Sequence, residues 1–246
     1  MHRFYAPDFA ADRDVQLPDA EAQHLSRVLR LKAGDVIAIF DGKGAEALAR
    51  VEAVAARKVV VRPTGPRQPA AEPRVALTLA QALLKSDKMD RVVRDAVMLG
   101  VAAVQPFVSR RTEVPRAALR SGVRRERWDR TVVSSVKQSG RAVVPPVRDA
   151  VDFVELLKAT AGRTRLMFVE PSAAQPGLVK DLRSLEASAP PDAMILVGPE
   201  GGWDPEEVEA AATAGVTLVT FGSRTLRADA AGAAAIAVLQ YVWRDR

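Results

Sequence analysis

The stretch that most constrains this chain is residues 194–202, which read MILVGPEGG. An apolar run of this kind is typical of a short buried strand, and the glycines at its end let the backbone turn sharply and a ligand approach closely. A helix is predicted directly afterwards, because Asp204 is a good N-cap, Pro205 suits the first helical position and Glu207 completes a capping box. The stretch therefore predicts a strand, a ligand-binding loop and a helix; the alternative is a plain structural turn.

The charge of this loop limits the ligands it can bind. Loops that bind phosphate bring basic groups and a free helix N-terminus to the anion. This loop is acidic instead, at Glu200, Asp204, Glu206 and Glu207. We expect a pyrophosphate to be repelled and a neutral or cationic ligand to be favoured, such as a nucleoside that carries a sulfonium.

From position 74 onward the pattern alternates between apolar strands and helices. Strands are predicted over residues 75–82, 101–108, 165–169, 193–197 and 216–221, and helices over residues 87–99, 124–139, 152–158, 205–214 and 227–243. This alternation is typical of an α/β domain with a mostly parallel sheet. Ligands of such sheets bind at the carboxyl ends of the strands, so we expect the loops at 169–171, 197–202 and 221–227 to converge on one site.

The first 70 residues have a different pattern. Short alternating runs at 36–40 and 58–61 are separated by turn signals, as in β-hairpins. One helical stretch at 19–32 carries Arg27 and Arg30. We predict a small β-barrel with a basic helix.

A proline-rich segment follows this region. Residues 63–73 contain four prolines and a glycine, which predicts a linker without regular structure. The predicted domains are therefore residues 1–70 and 74–246.

Composition excludes several classes of protein. The chain has 246 residues, enough for one large or two ordinary domains. It has no cysteine, and only His2 and His24 can supply imidazole. A thiolate or histidine-rich metal site and a Ser-His-Asp triad are therefore disfavoured, and we expect no metal. The start of the sequence lacks the apolar core of a signal peptide, and no apolar run is long enough to span a bilayer, so we expect a cytoplasmic protein with no membrane partner.

The excess of basic side chains favours a polyanionic partner. The chain has 36 Lys and Arg against 30 Asp and Glu, a formal net charge of +6. A dense run of arginines lies between positions 110 and 130, and on a helix some of them share one face. We predict RNA contacts for Arg27, Arg30, Arg110, Arg111, Arg116, Arg120 and Arg124. The alternative is a solvated surface without a partner.

Two segments together resemble a known family. Residues 196–202 (LVGPEGG) and 221–227 (FGSRTLR) are similar to the two signature segments of the SPOUT RNA methyltransferases. More narrowly, the chain resembles the RsmE family, which methylates N3 of a uridine in small-subunit (16S) ribosomal RNA. The likeness extends through Arg3-Phe4, His24, Val28-Leu29-Arg30, Gly34-Asp35, Asp41-Gly42-Lys43-Gly44, Lys85-Ser86-Asp87-Lys88-Met89, Arg127-Trp128 and Gln138-Ser139-Gly140-Arg141.

The resemblance implies a fold, a cofactor and partners. The fold is a PUA-like N-terminal β-barrel followed by a SPOUT-type trefoil-knotted α/β domain, and the partners are ribosomal RNA or the small ribosomal subunit and a second copy of the chain in a homodimer. The cofactor is S-adenosyl-L-methionine, bound by Val169, Glu170, Pro171, Val197, Gly198, Pro199, Glu200, Gly201, Gly202, Phe221, Gly222, Ser223, Thr225 and Leu226. We expect a side chain at Gly198 or Gly201 to fill space that the nucleoside needs.

The implied reaction needs a base or a cation near the methyl group, because the N3 proton of uridine must leave and the resulting anion must be stabilised. Arg224, in a cofactor loop, is the first candidate for this catalytic role. Gln138 and Arg141 are next, and Arg3 follows if the N-terminus folds over the site. The sequence does not indicate which acidic residue, if any, acts as the general base.

Three positions depart from the family pattern. Met98, Ser134 and Lys137 stand where the family usually has acids. These changes leave open a non-catalytic RNA-binding assembly factor with the same fold, or a methyltransferase with a shifted RNA target. A dinucleotide-dependent oxidoreductase is disfavoured by the acidic loop and by the absence of GxGxxG after the first strand of the α/β region.

Overall fold

The structure is a computed structural model that describes residues 1–55, 58–114, 122–173, 177–186 and 189–244. Contacts between residues divide the chain into two compact units. The first unit comprises Met1–Glu72 and Val133–Val144, and the second comprises Pro73–Val132 and Pro145–Arg246. Segment Val133–Val144, which the predicted division places in the second domain, thus makes its contacts with the first unit.

The first unit is built on a five-stranded sheet in the order β1-β3-β4-β5-β2. Its strands are β1 (Arg3–Tyr5), β2 (Val15–Gln16), β3 (Val36–Phe40), β4 (Glu46–Val54) and β5 (Val59–Pro66). Strand β1 is parallel to β3, and the other pairs are antiparallel. Alternate residues of these strands, with Phe4 and Leu25, form the core of the unit.

The prediction of an irregular linker over residues 63–73 was wrong for residues 63–66, because β5 continues through Pro63 to Pro66, and is confirmed for residues 67–73, which form neither helix nor strand. Strand β2 pairs with β5 only at Val60 and Val61, so the later residues have β4 as their only strand neighbour. A shift in register also lies opposite Pro63. Proline lacks an amide hydrogen and is tolerated at such edges and bulges.

The helix predicted over residues 19–32 is shorter and of two kinds. An α-helix, α1 (Asp19–Gln23), runs into a π-helix over His24–Val28. Arg30 then has φ +55°, in the left-handed region. The apolar spacing identified the buried face, including Leu25, but not the wider turn.

The second unit contains a seven-stranded sheet in the order β10-β12-β9-β11-β6-β7-β8, and every strand pair in it is parallel. Its strands are β6 (Ala76–Ala82), β7 (Ala103–Val108), β8 (Val151–Asp152), β9 (Arg165–Phe168), β10 (Val179–Lys180), β11 (Asp192–Val197) and β12 (Thr217–Val219). The predicted α/β class with a parallel sheet is confirmed.

Helices follow the predicted alternation. They are α2 (Lys88–Met98), α3 (Gly122–Ser139), α4 (Phe153–Ala159), α5 (Pro205–Thr213) and α6 (Ala228–Val242). The capping box of Asp204 and Glu207 is present at the start of α5. Gly100 and Gly215 have positive φ and follow the ends of α2 and α5. Across the described ranges, no helix combines the length and the apolar character needed to cross a membrane.

Candidate active site

Three neighbouring strands of the second unit end at the same level. Phe168, the last residue of β9, pairs in register with Val197 of β11 and with Val219 of β12. The loops that follow these strands therefore begin side by side. They enclose a cavity of about 580 Å³, a size within the range of ligand-binding pockets.

The cavity brings together most of the residues predicted to bind a cofactor. Twelve of them line it: Val169, Glu170, Pro171, Val197, Gly198, Pro199, Glu200, Gly201, Gly202, Phe221, Thr225 and Leu226. Gly222 and Ser223 belong to the same loop as Phe221 but are not among the lining residues. Arg224, predicted to be catalytic, also lines the cavity.

Trp203 holds two of the loops together, a role the sequence did not indicate. Its indole Nε1 donates a hydrogen bond to the carbonyl oxygen of Phe168 at 2.8 Å, and its backbone N–H donates to Glu170 Oε1 at 3.0 Å. The ring is buried and packs against Phe107 and Phe153. Trp203 therefore connects the glycine loop to the end of β9 through its side chain and to Glu170 through its backbone.

We expected a side chain at Gly198 or Gly201 to fill space that the nucleoside needs, but the structure gives a different reason for these glycines: an added Cβ atom would meet other parts of the protein. A Cβ atom at Gly198 would lie 3.0 Å from the indole of Trp203, and one at Gly201 would lie 3.2 Å from Cβ of Arg111. Gly202 is the most restricted, because its φ is +71° and a Cβ there would lie 2.3 Å from Glu170 Oε1. These glycines therefore allow the loop to pack closely against its neighbours, and they line the cavity through their backbone groups.

Gln81, which the sequence analysis did not single out, also supports the glycine loop. It is fully buried near the end of β6, and its Nε2 donates to the carbonyl oxygen of Gly198 at 3.2 Å. A Cβ atom added at Gly232 of α6 would lie 3.4 Å from Gln81 Oε1. An amide at this position fixes the direction of a carbonyl in the cavity wall.

The acidic turn is neutralised from within the second unit. Asp204 lies 3.5 Å from a guanidinium nitrogen of Arg110 and 3.7 Å from one of Arg111, and Glu206 lies 2.5 Å from Arg110. Two of the arginines predicted to bind RNA are thus already paired with acids. Water and salt screen these pairs, because the two arginine side chains are exposed. Arg110 and Arg111 can therefore leave their acids to bind an RNA phosphate.

Glu207 is turned inward rather than toward a ligand. Its carboxylate accepts hydrogen bonds from the backbone N–H groups of Arg110, at 3.0 Å, and Asp204, at 3.3 Å. Burial raises the pKa of Glu207 above its ordinary value. The acidic loop expected from the sequence therefore contains one structural acid and several paired ones.

Arg224 differs from the other cations of the cavity. Lys88 and Arg227 also line it, but each is in an ion pair. Arg224 is exposed and has no hydrogen bond or ion pair within the part of the chain that the structure describes. A guanidinium in this state has all its donors free for a ligand.

Arg3 is held by the first unit. Its guanidinium bonds both carboxylate oxygens of Glu46, at 3.1 and 2.8 Å, and its side chain is only 8% exposed. It also donates to the backbone carbonyl oxygens of Val136, Lys137, Gly140 and Arg141. This use of all its nitrogens supports a structural role and removes the reason for proposing it as a catalyst.

Arg141 and Gln138 also belong to the first unit. Nε of Arg141 lies 2.9 Å from Glu72 Oε1, and the guanidinium is almost fully buried. Gln138 is exposed on α3. Neither Arg141 nor Gln138 lines the cavity of the second unit.

The predicted RNA contacts are only partly described. Arg116 and Arg120 lie outside the described residues. Arg124 is half-buried on α3, whereas Arg27 and Arg30 are exposed around the π-helix of the first unit. Other arginines of α3 are paired with acids, as Arg125 is with Asp129 and Asp149.

Comparison with known proteins decides the family. The chain is 31% identical over 233 residues to the ribosomal RNA small subunit methyltransferase E of Synechocystis. The aligned residues cover 94% of this chain and 74% of that protein. The chain belongs to this family. Residues 71–240 match the family described as RNA methyltransferase domain, and residues 17–64 match the RNA methyltransferase PUA domain. The resemblance inferred from the sequence is confirmed.

Solved structures of relatives agree with this membership. A ribosomal RNA small subunit methyltransferase E from Neisseria gonorrhoeae, bound to S-adenosyl methionine, has 34% identity and a TM-score of 0.86, with 99% of this chain and 98% of that chain covered. A putative methyltransferase from Legionella pneumophila, also with S-adenosyl methionine bound, has 27% identity and a TM-score of 0.88, with 97% and 96% covered.

Proposed function

We propose that the chain is an S-adenosyl-L-methionine-dependent methyltransferase that methylates N3 of a uridine in 16S ribosomal RNA. The observation that carries this proposal is that both signature segments line one cavity, in a chain whose relatives include two solved structures that hold this cofactor. Its place at the carboxyl ends of parallel strands is where α/β proteins bind their ligands.

The lining of the cavity suits this cofactor. Val169, Phe221 and Leu226 give it an apolar side, on which the ring of Phe221 stacks with Phe168 at 4.6 Å between centroids. Backbone groups of the glycine loop can bind the edge of an adenine, and the carboxylate of Glu170 can accept hydrogen bonds from ribose hydroxyls. Acids near a sulfonium are favourable, unlike acids near a pyrophosphate.

The chemical task of the protein is then to orient the uracil ring and to stabilise its charge. The bound cofactor supplies the methyl group. As the N3 proton leaves, negative charge spreads over N3 and the two carbonyl oxygens, and a free guanidinium can donate to them. Arg224 is placed in the cavity wall with its donors free, so we assign it this role. We leave the proton acceptor unassigned.

The finer features of the fold are part of the proposal. They are the trefoil knot, a PUA-like barrel in residues 1–70 and a methyltransferase domain in residues 74–246. Ribosomal RNA or the small subunit is the proposed partner, with Arg27, Arg30, Arg110, Arg111 and Arg124 among the proposed phosphate contacts and the cytoplasm as the location.

A homodimer is also proposed. Helix α6 is apolar nearly all round, and a helix of this kind is stable when it is buried on more than one side. Its outer face leaves Tyr241 86% exposed, and Met98 of the neighbouring α2 is 38% exposed. Light scattering at micromolar concentration should give twice the mass of the chain; the mass of one chain would remove this claim.

Methyl transfer in vitro tests the function. Purified protein with isotopically labelled cofactor should label small ribosomal subunits, or naked 16S RNA, at N3 of one uridine. A heat-denatured sample is the control. RNA binding without any transfer would instead support the assembly factor, and label at another atom would change the target.

A further inference from the structure

The loop that follows β7 carries two adjacent arginines, Arg110 and Arg111, and both contact the start of α5. Arg110 lies 2.5 Å from a carboxylate oxygen of Glu206 and 3.5 Å from one of Asp204. Arg111 lies 3.7 Å from Asp204 and donates a hydrogen bond to the carbonyl oxygen of Gly201 at 3.3 Å. Neither arginine and neither acid lines the cavity, so these ion pairs form a surface separate from it.

The backbone of this loop is held in place by hydrogen bonds. The backbone N–H of Ser109, a buried residue, donates to Thr112 Oγ1 at 3.0 Å, and the backbone N–H of Thr112 donates to the carbonyl oxygen of Ser109 at 3.1 Å. The backbone N–H of Arg110 donates to the buried Glu207 at 3.0 Å. The backbone can therefore keep its place when the guanidinium groups change partners.

The ion pairs themselves are accessible to competing anions. The side chains of Arg110 and Arg111 are 57% and 45% exposed, and that of Glu206 is 69% exposed. Ion pairs at such exposures contribute little free energy and are screened by salt. The distances from Asp204 to both arginines are too long for good hydrogen bonds, so Asp204 acts mainly through its charge.

A phosphodiester is a ligand that can replace these acids. A guanidinium binds a carboxylate and a phosphate through the same planar set of N–H donors. The carboxylate of Glu206 therefore occupies donors of Arg110 in the way that phosphate oxygens would. An RNA strand brings several phosphates to the surface at once, whereas a single small anion must overcome the repulsion of both acids with one charge.

We propose that Asp204 and Glu206 are internal competitors of RNA phosphates for Arg110 and Arg111. In the free protein the acids occupy the two guanidinium groups. In the complex the phosphates take their place and the acids return to water. This inference rests on the proposed function, which makes RNA the partner, and adds a regulation of its binding: the acids hold the RNA affinity below the value that the arginines alone would give.

Filter binding of naked 16S RNA to the full chain tests the competition. Glu206→Gln keeps the size of the side chain and removes its charge. We expect the dissociation constant of the RNA to fall by about two- to fivefold at low salt, the size expected for one exposed ion pair. The gain should shrink as salt screens the pair. Asp204→Asn keeps a good N-cap for α5 and should change the affinity in the same direction.

Glu209→Gln is the matched control. Glu209 is an exposed acid three positions further along α5, and it forms no ion pair with any residue that the structure describes. This variant measures how far the loss of any negative charge on the helix favours RNA, and its gain should be smaller than that of Glu206→Gln. In an Arg110→Ala background the gains of the two variants should be equal, because the guanidinium for which Glu206 competes is absent.

Two results would overturn the competition and leave the proposed function intact. One is an equal gain from Glu206→Gln and Glu209→Gln in the otherwise unaltered chain. The other is a larger gain from Glu206→Gln that persists in the Arg110→Ala background. Failure of the unaltered chain to bind the RNA at low salt would overturn the proposed function and the competition with it.

Discussion

Replacement of Arg224 by alanine should lower the single-turnover rate of methyl transfer by about 10²–10³, the usual effect of removing one donor that stabilises a developing anion. The reason is that Arg224 lines the cavity with its donors free, whereas Lys88 and Arg227 are paired. The rate should be measured with saturating RNA and cofactor. Because the side chain is exposed, the unfolding midpoint should stay the same.

Arg124→Ala is the comparison for a phosphate contact. It should weaken RNA binding at any sequence and lower the salt slope by about one unit, with little change in the single-turnover rate at saturating RNA. Arg224→Lys, which keeps the charge, should recover part of the lost rate. If Arg224→Ala loses only RNA affinity and keeps its rate, the assigned role is incorrect.

Replacement of Trp203 by alanine should lower the free energy of unfolding by about 3–5 kcal/mol, as for other large buried aromatics. The side chain packs against Phe107 and Phe153, and it bonds the end of β9 through Phe168. Its loss leaves a hole beside Gly198 and frees the glycine loop. Urea unfolding gives the stability, and calorimetry should show weaker cofactor binding.

The smaller change Trp203→Phe separates positioning of the loop from general stability. Trp243 is a matched control, since its buried indole also donates to a backbone carbonyl, that of Leu185 at 3.1 Å, but does not line the cavity. Both Trp→Phe variants should lose a similar hydrogen bond, on the order of 1 kcal/mol. Only Trp203→Phe should weaken cofactor binding; equal affinities in the two variants would contradict the positioning role.

Local signals explain what the sequence predicted well. Alternating strands and helices defined the parallel sheet of the second unit, and the capping box of Asp204 and Glu207 located the start of α5. The apolar alternation placed the ends of α2 and α5 just before Gly100 and Gly215, which have positive φ. Each of these signals depends on residues a few positions apart, where propensity and backbone geometry act directly.

Long-range pairing explains what the sequence did not predict. Arg3, a candidate catalytic residue, bonds Glu46 and the backbone carbonyl of Val136, which is 133 positions away. These bonds support a structural role for Arg3. Lys88 meets Glu200 across 112 positions. The sequence does not show which charged side chains form ion pairs and which remain unpaired, because the fold brings the partners together from distant positions.

The central claim is that the chain methylates N3 of a uridine in 16S ribosomal RNA. Mass spectrometry of nucleosides and oligonucleotides from 16S RNA tests it most directly, in cells with and without the gene and in cells that express only the Arg224→Ala variant. We expect one N3-methyluridine to be lost without the gene, to return with the unaltered chain and to remain absent or greatly reduced with the variant. An unchanged modification map in cells without the gene would contradict the account.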